Sequence, residues 1–447
     1  MRHAIRDFAG DLLLPGDPAF DDARRTQNDA IDRTPEVIAR CSGSGDVVAA
    51  LRYAREHNLP VRVRGGGHGP DRFAVDDGAL VIDLTPMRAV RVDHVGRRVR
   101  VQGGATWREV DAATHLHGLA VTGARLPSVG VAGFTLGSGS GWLERKLGLA
   151  ADCVRCARVV TAHGHLVTAG GYEHPDLFWA LRGGGPSFGV VTELEFALHP
   201  VDRVQAGLLA WPIDRLADVT TAYAELMARA TDDLGGALAL LNGAPFVPEP
   251  LRATPLVAIL VVWTGPGEPP IAPLRGLAPA FDAVDRMPYR RLQSMFESPE
   301  PYTARMRGVG GFLTDLTPEA VAVLADFQAR KPAPEGSILV QPLGGAVTRV
   351  ADGATPLGQR DAPWAFQAGA AWFDPDADDA VAAWATDLRA ALAPYTRGDA
   401  WPNFIPDRDP ARLAAAYGTD VWERLQAIRA WWDPDDVFSG GHAIPLP

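Results

Sequence analysis

Hydrophobic and polar positions follow two spacings along the first 200 residues, one typical of helices and one typical of strands. Apolar residues three and four apart predict helices over residues 46–57, with Asp46 as the N-cap, and over 107–117 and 177–181. Alternation and short apolar runs predict strands over 60–64, 79–84, 155–161, 165–168 and 188–196, and a hairpin over 90–101. This half of the chain is therefore expected to be α+β.

After residue 200 the pattern changes to longer strands and alanine-rich helices. Strands are predicted over 204–211, 237–241, 256–264, 337–342 and 364–372, and helices over 216–230, 318–330 and 376–392. Such a set forms a sheet with helices packed on one face, so a second α+β unit is expected. Two short helices are expected over 410–432.

Composition and charge argue against several classes of protein. Hydrophobic residues make up 47% and charged residues 22% of the 447 residues, which is ordinary for a globular protein. The formal net charge is −11, and no run of five basic residues occurs, so nucleic acid and anionic membranes are not expected partners. Asp7 and Asp11 interrupt the N-terminal apolar run, and the longest apolar run, 256–263, is too short to span a bilayer. We expect a cytoplasmic protein.

The chain has three cysteines, Cys41, Cys153 and Cys156. A small and odd number of cysteines argues against a disulfide framework. The Cys153-x-x-Cys156 pair has two interpretations, a metal or redox site and a pair of small buried hydrophobic residues. Because no second cysteine pair or histidine cluster lies nearby, we favour packing and expect no metal site.

Three glycine-rich loops are the sharpest local features. The first, Arg64-Gly65-Gly66-Gly67-His68-Gly69, follows a predicted strand, and its successive amides suit a pyrophosphate. A plain tight turn with an incidental histidine is the alternative. The second, 137–141, lacks the glycine spacing and later acidic residue of a nicotinamide dinucleotide fingerprint. With the third, 182–189, these loops suit one large phosphate-bearing cofactor that lies between two subdomains.

Further motifs extend through the whole chain. They are Val63-Arg64-Gly65-Gly66-Gly67-His68, Gly103-Gly104-Ala105, Pro127-Ser128-Val129-Gly130, Gly344-Gly345-Ala346, Thr355 with Arg360, and Tyr417-Gly418. In this combination the chain resembles the FAD-linked oxidases of the vanillyl-alcohol oxidase/p-cresol methylhydroxylase superfamily, in the berberine-bridge-enzyme-like branch. The resemblance implies an α+β, two-lobe fold. A PCMH-type FAD-binding domain would occupy residues 1–200 (core about 33–202) and a substrate-binding domain of antiparallel sheet backed by helices 201–400. Residues 401–447 would return to the FAD domain.

The resemblance also implies how FAD is held. His68 would bond covalently to the flavin 8α-methyl group through an imidazole nitrogen. Many relatives form a second link to a cysteine before the proline that matches Pro127, but Leu126 stands there, so a single bond is expected. The residues expected to bind FAD are Arg64, Gly65, Gly66, Gly67, His68, Gly69, Pro127, Ser128, Val129, Gly130, Gly133, Gly137, Ser138, Gly139, Gly141, Asp152, Val190, Val191 and Asn403. Asp152 either bonds the cofactor or caps a turn, and Arg182 is expected to pair with a carboxylate beneath its loop.

The catalytic segment departs from the family pattern. Relatives that oxidise alcohols often use the tyrosine of a Tyr-x-Asn segment as a base, whereas this chain has Trp401-Pro402-Asn403-Phe404. An indole offers no useful base. The catalytic candidates are Asn403 and Trp401, which belong to this segment, and Tyr302, which could replace the missing base. Tyr289 and Asp352 are other possible bases.

The expected reaction is oxidation of a small organic substrate by hydride transfer to flavin N5, with O₂ as the acceptor. The missing tyrosine favours an amine, a heterocycle or a natural-product intermediate, since a neutral amine assists hydride loss with its own lone pair. The alternatives are a dehydrogenase with another acceptor, an alcohol or carbohydrate oxidase, and a flavin-binding protein without catalytic activity.

Overall fold

The computed structural model describes residues 5–69, 73–242, 247–297, 304–333, 335–405, 409–442 and 444–447. The strands of the N-terminal half are β1 (Asp11–Leu13), β2 (Val37–Arg40), β3 (Val61–Arg64), β4 (Leu80–Asp83), β5 (Val90–Asp93), β6 (Arg98–Gln102), β7 (Leu119–Ala120), β8 (Val154–Val160), β9 (Leu166–Gly170), β10 (Val190–Ala197) and β11 (His199–Pro200). Its helices are α1 (Phe20–Arg24), α2 (Ser44–Glu56), α3 (Trp107–His115), α4 (Val131–Gly137), α5 (Glu144–Leu147), α6 (Ala150–Cys153) and α7 (Pro175–Leu181).

Two sheets organise this half. In the first, with strand order β1-β2-β4-β3, β2 and β3 both run parallel to β4, and Arg64 pairs with Asp83 at the carboxyl end. The second sheet is antiparallel in the order β5-β6-β10-β8-β9, and β7 pairs with β11. Because β3 ends at Arg64, the first glycine-rich loop leaves the sheet at its carboxyl edge, where open α/β sheets commonly bind ligands.

The second half is built on one large antiparallel sheet. Its strands are β12 (Arg203–Pro212), β13 (Leu234–Asn242), β14 (Pro255–Trp263), β15 (Phe281–Asp282), β16 (Asp285–Pro288), β17 (Arg305–Leu313), β18 (Ser337–Pro342) and β19 (Trp364–Trp372). The strand order is β15-β12-β14-β13-β18-β19-β17, and β16 also pairs with β12. The remaining helices are α8 (Leu216–Ala228), α9 (Ala272–Arg275), α10 (Tyr289–Gln293), α11 (Pro318–Ala329), α12 (Ala346–Arg349), α13 (Asp378–Leu392), α14 (Pro410–Tyr417) and α15 (Thr419–Trp432).

The two faces of the large sheet bury different partners. On one face, Trp211 and Phe366 share a core with residues of α8, α11 and α13. On the other face, Leu208 and Leu260 pack with Trp142 and Leu143 of the N-terminal half. The predicted α+β fold, with an antiparallel sheet backed by helices, is therefore confirmed. In the C-terminal segment, α15 packs against α7.

Local differences from the sequence predictions have identifiable causes. Helix α2 begins at Ser44, so Asp46 lies in its first turn and is not the N-cap. The Asp46 carboxylate accepts hydrogen bonds from the backbone amides of Ala9 and Ser42, each at 2.7 Å, and so ties the N-terminal segment to the helix. No helix of the described residues is both long and apolar enough to cross a membrane.

Several elements were not predicted, among them α4 and β17. The small-residue segment after Gly130 forms α4, whose buried Val131 and Leu136 join the core. Strand β17 is glycine-rich, which weakens the strand signal, but a Cβ on Gly310 would lie 2.8 Å from the Cβ of Phe404. The glycine thus lets the short helix Pro402–Phe404 lie against β17.

Candidate functional site

A cleft brings together residues that are far apart in the sequence. It is lined by the first glycine-rich loop, by α4, by Pro402, and by residues near the C-terminus. The predicted site residues that line it are Gly65, Gly66, Gly67, His68, Gly69, Val129, Gly130, Gly133, Gly137 and Asn403. About half of the expected cofactor contacts therefore meet in one place.

The first glycine-rich loop touches the segment before α4 by direct backbone contact. A Cβ built on Gly66 would lie 2.3 Å from the backbone nitrogen of Gly130, and a Cβ on Gly130 would lie 2.3 Å from that of Gly66. Real side chains do not tolerate this approach, so both positions require glycine. The contact sets the His68 loop beside Ser128.

His68 is the nucleophilic candidate of the cleft. Its Nε2 lies 3.0 Å from Ser128 Oγ. Burial lowers the pKa of His68 to about 4, against a smaller opposing effect of a hydrogen bond with the Ser128 backbone. The imidazole is therefore neutral at physiological pH and keeps a lone pair for bonding.

Asn403 is held at the cleft by the end of α4. Its Nδ2 donates to the carbonyl oxygen of Phe134 at 3.1 Å, and its Oδ1 accepts from Ser138 Oγ at 3.3 Å. A Cβ on Gly137 would lie 1.9 Å from Asn403 Oδ1. The amide is thus fixed in one orientation, with Gly137 leaving the space that it fills.

The other catalytic candidates that belong to the described residues do not line the cleft. Trp401 is 2% exposed, its Nε1 donates to the carbonyl of Gly358 at 2.9 Å, and its ring packs edge-on against Phe312 at 5.0 Å. Tyr302 lies outside the described residues. Tyr289 does not line the cleft, and burial raises its pKa well above the usual 10. Asp352 is exposed in the turn after α12.

The loop over residues 137–141 folds onto α6. The carbonyl oxygens of Ser138 and Gly139 accept from the amides of Ala151 and Ala150 at 3.2 and 2.9 Å. The Gly141 amide donates to Glu144 Oε2 at 3.1 Å. Beyond Gly137, this loop does not line the cleft.

Asp152 occupies an ion pair and does not face the cleft. Arg360 donates to its two oxygens at 2.7 and 2.9 Å, and both side chains are buried. The same carboxylate accepts from the Leu149 amide at 2.9 Å, so the capping interpretation fits. Arg182 makes no ion pair with a carboxylate of the described residues; it donates to the carbonyl of Ala354 at 2.7 Å.

The remaining predicted contacts do not line the cleft. Val190 and Val191 are buried strand residues, 0% and 3% exposed. The Pro127 carbonyl accepts from the Arg108 amide at 2.9 Å, at the start of α3. Arg64 donates to the carbonyl of Ala23.

Several cleft residues were missed from the sequence. Arg62 is buried, and its Nη2 donates to Asp76 Oδ2 at 2.8 Å. The ring of Phe73 packs edge-on against the ring of His442, with 4.5 Å between the ring centres. His442 Nε2 lies 2.9 Å from the Ile405 carbonyl. One signal was available, since Gly440-Gly441-His442 repeats the Gly66-Gly67-His68 triplet.

Cys41 and Cys153 are buried free cysteines, and Cys156 is partly exposed. Cys153 Sγ lies 3.5 Å from the carbonyl of Leu147, and burial raises its pKa to about 12. No three His, Cys, Asp or Glu side chains are grouped to hold a metal ion in the described part of the chain.

The cleft has the features that FAD requires. Its glycine-lined wall lets a flat ligand approach the backbone closely, and a Cβ on Gly133 would meet no atom within 4 Å. A neutral histidine stands in the same wall, so the residues fit a flavin nucleotide.

Comparison with known proteins agrees with this fit. Residues 35–170 match the FAD binding domain family. The chain is 31% identical to the FAD-linked oxidoreductase YgaK of Bacillus subtilis, over 98% of this chain and 97% of that protein. It is 30% identical to (R)-6-hydroxynicotine oxidase of Paenarthrobacter nicotinovorans, over 97% and 96%.

Solved structures show the same fold. The crystal structure of 6-hydroxy-D-nicotine oxidase from Arthrobacter nicotinovorans superposes with a TM-score of 0.86 at 27% identity, covering 100% of this chain and 99% of that chain. BBE-like 1 of Physcomitrella patens superposes with a TM-score of 0.87 at 22% identity, covering 98% and 97%.

Proposed function

Because the chain belongs to the berberine-bridge-enzyme-like family of FAD-linked oxidoreductases, we propose that it oxidises a small amine, heterocycle or natural-product intermediate and passes the electrons to dioxygen. Bound FAD supplies the hydride acceptor at N5. The protein holds the cofactor and the substrate in position for this transfer.

We also propose that FAD is attached by a single covalent bond to His68. The neutral imidazole at the cleft wall supports this, since an alkylated nitrogen must begin with a lone pair. Leu126 supports the single bond, because a leucine side chain cannot form the thioether that a cysteine would form at this position.

The observation that carries the substrate class is the position of Trp401. This residue replaces the expected tyrosine and is buried. Its one side-chain N–H donates a hydrogen bond to the Gly358 carbonyl. The segment therefore offers no phenolate to remove a hydroxyl proton. An alcohol needs such a base, whereas an amine that binds in its neutral form does not.

Asn403 is the polar group that this segment retains at the cleft. Its amide is fixed between Phe134 and Ser138, so it presents a defined edge to the flavin or the substrate. A fixed amide lowers the cost of orienting a bound ligand. We assign Asn403 a binding role and no proton-transfer role.

The name of one relative supports the amine class and dioxygen as the acceptor. That relative, at 30% identity over nearly the whole chain, is a 6-hydroxynicotine oxidase. A dehydrogenase would differ only in its reoxidation half-reaction, so the acceptor needs its own measurement.

The test is anaerobic reduction of the purified holoenzyme by matched substrates. Cyclic secondary amines, the corresponding cyclic alcohols and simple sugars are mixed with the enzyme, and flavin bleaching is followed. We expect bleaching by amines, with the rate constant of flavin reduction at low amine concentration rising with pH up to the pKa of the substrate amine, because the neutral amine is the reactive form. Reduction by sugars or alcohols alone contradicts the amine assignment.

Reoxidation is measured next. The reduced enzyme is mixed with air-saturated buffer or with an artificial electron acceptor under nitrogen. Rapid return of the flavin colour in air, with one H₂O₂ per flavin, is expected for an oxidase. Slow reoxidation in air and fast reoxidation by the artificial acceptor would identify a dehydrogenase.

A further inference from the structure

We propose that Ser128 orients the imidazole of His68 for attachment of the flavin, so that Nδ1 forms the bond to the 8α carbon while Nε2 stays on the Ser128 hydroxyl. This inference rests on the covalent attachment proposed above. It is drawn from the 3.0 Å separation of His68 Nε2 and Ser128 Oγ. Ser128 acts here through His68, so it is a positioning residue.

The argument begins with the proton of the ring. A neutral imidazole carries one proton, and the nitrogen that attacks carbon must be the other nitrogen. Nε2 faces the hydroxyl oxygen of Ser128, which can accept a hydrogen bond from Nε2–H. In the tautomer that makes this hydrogen bond, the lone pair is on Nδ1. The hydrogen bond also blocks Nε2, since a carbon cannot approach along a direction that an oxygen occupies at 3.0 Å.

The bond-forming step balances with dioxygen as the oxidant. One C–H bond of the 8α-methyl group breaks as the Nδ1–C bond forms, and Nε2 gives up its proton. Two electrons and two protons pass to the flavin ring, and O₂ removes them as H₂O₂. Nε2 then holds a lone pair, and the Ser128 hydroxyl changes from acceptor to donor. A hydroxyl can take both roles, and a methyl group can take neither.

The backbone around Ser128 is rigid enough to serve this purpose. On one side, the Pro127 carbonyl accepts from the Arg108 amide at 2.9 Å. On the other side, the Val129 carbonyl accepts from the Trp107 amide at 3.0 Å. The first turn of α3 thus fixes both neighbours of Ser128, and its hydroxyl is held in place against the His68 loop.

The test follows covalent attachment itself and does not depend on turnover. Full-length protein from riboflavin-starved cells is mixed with saturating FAD in air, and flavin fluorescence of the denatured chain is followed over time. We expect Ser128→Ala to attach flavin about tenfold more slowly than the wild type, the effect of one lost hydrogen bond. Ser128→Thr keeps the hydroxyl and should attach flavin at close to the wild-type rate. The Kd for non-covalent FAD should change less than about threefold in both variants.

The outcomes separate the two proposals. A wild-type chain that never acquires covalent flavin overturns the His68 attachment. A wild-type chain that does, with Ser128→Ala equally fast or Ser128→Thr as slow as Ser128→Ala, overturns the role of Ser128. A second measurement needs no flavin: ¹⁵N NMR of His68 in the apo-protein should find the ring proton on Nε2. A proton on Nδ1 would also overturn the role of Ser128.

Discussion

Gly66 and Gly130 meet backbone to backbone, so closely that a Cβ on either would lie 2.3 Å from the amide nitrogen of the other. These residues belong to two segments of the chain that are separated by β4, β5, β6, α3 and β7. Their contact joins the loop of His68 to the segment of Ser128. The proposed attachment site depends on this contact, because it sets the distance between the two side chains.

Alanine at either glycine should separate the two loops. We expect Gly66→Ala and Gly130→Ala to lower the free energy of unfolding by about 1–3 kcal/mol, as overpacking does, and to reduce the flavin content of purified protein. Gly171→Ala is the matched control, because a Cβ there meets no atom within 4 Å. Urea unfolding and the ratio of flavin to protein absorbance measure both effects. Full flavin content in Gly130→Ala would refute the stated role of the contact.

The buried ion pair of Asp152 and Arg360 should contribute strongly to stability. Removing one partner leaves an uncompensated buried charge, so Asp152→Asn should lower the free energy of unfolding by about 3–5 kcal/mol. Asp361→Asn breaks an exposed pair with Arg397 at 2.6 Å and should cost less than about 1 kcal/mol. Equal losses in the two variants, measured by urea unfolding, would contradict the burial argument.

Asp111 should make stability depend on pH. The side chain is 5% exposed, and burial raises its pKa from 3.8 to about 7, although Gln293 donates to it at 3.2 Å. The folded state therefore holds a proton that the unfolded state has lost between these two values. Stability is greatest below the unfolded pKa, falls as the pH rises toward about 7, and then levels off.

Asp111→Asn imitates the protonated acid and should remove this fall. Relative to the wild type, the variant should gain stability between pH 4 and pH 7, by roughly 4 kcal/mol at the upper end. Unfolding in urea at a series of pH values measures the difference. A constant difference between the two proteins across this range would show that Asp111 titrates normally in the folded state.

Gly137 and Asn403 should act as one unit. Alanine at residue 137 would place a Cβ 1.9 Å from Asn403 Oδ1 and displace the amide, so Gly137→Ala should resemble Asn403→Ala. Loss of the fixed amide should lower kcat/KM about 10- to 100-fold, while covalent flavin content stays at the wild-type level.

A double-mutant cycle tests this coupling. The double variant should be little worse than either single variant, because the second substitution removes nothing further. Gly43→Ala, where a Cβ meets no atom within 4 Å, is the control for a tolerated glycine substitution. Additive losses in kcat/KM would indicate that Gly137 and Asn403 act separately.

Much of this protein could be predicted from local sequence. Periodicity identified the strand that ends at Arg64 and the glycine-rich loop that follows it. The motifs identified the family, and with it His68 and Asn403, which the fold brings to one cleft. Such predictions succeed because strand and helix spacing depends on neighbouring residues alone.

Other features depended on the packing of distant segments. The sequence allowed two roles for Asp152, as a cofactor ligand or as the cap of a turn. Its partner in the ion pair, Arg360, lies 208 residues further along the chain. Trp401 was a catalytic candidate until the fold buried its indole against Phe312. The sequence alone determined which chemical groups are available and which short elements carry them. Only the tertiary structure decided which groups face the cleft and which are paired, because burial and ion pairing depend on side chains that distant strands and loops bring into contact.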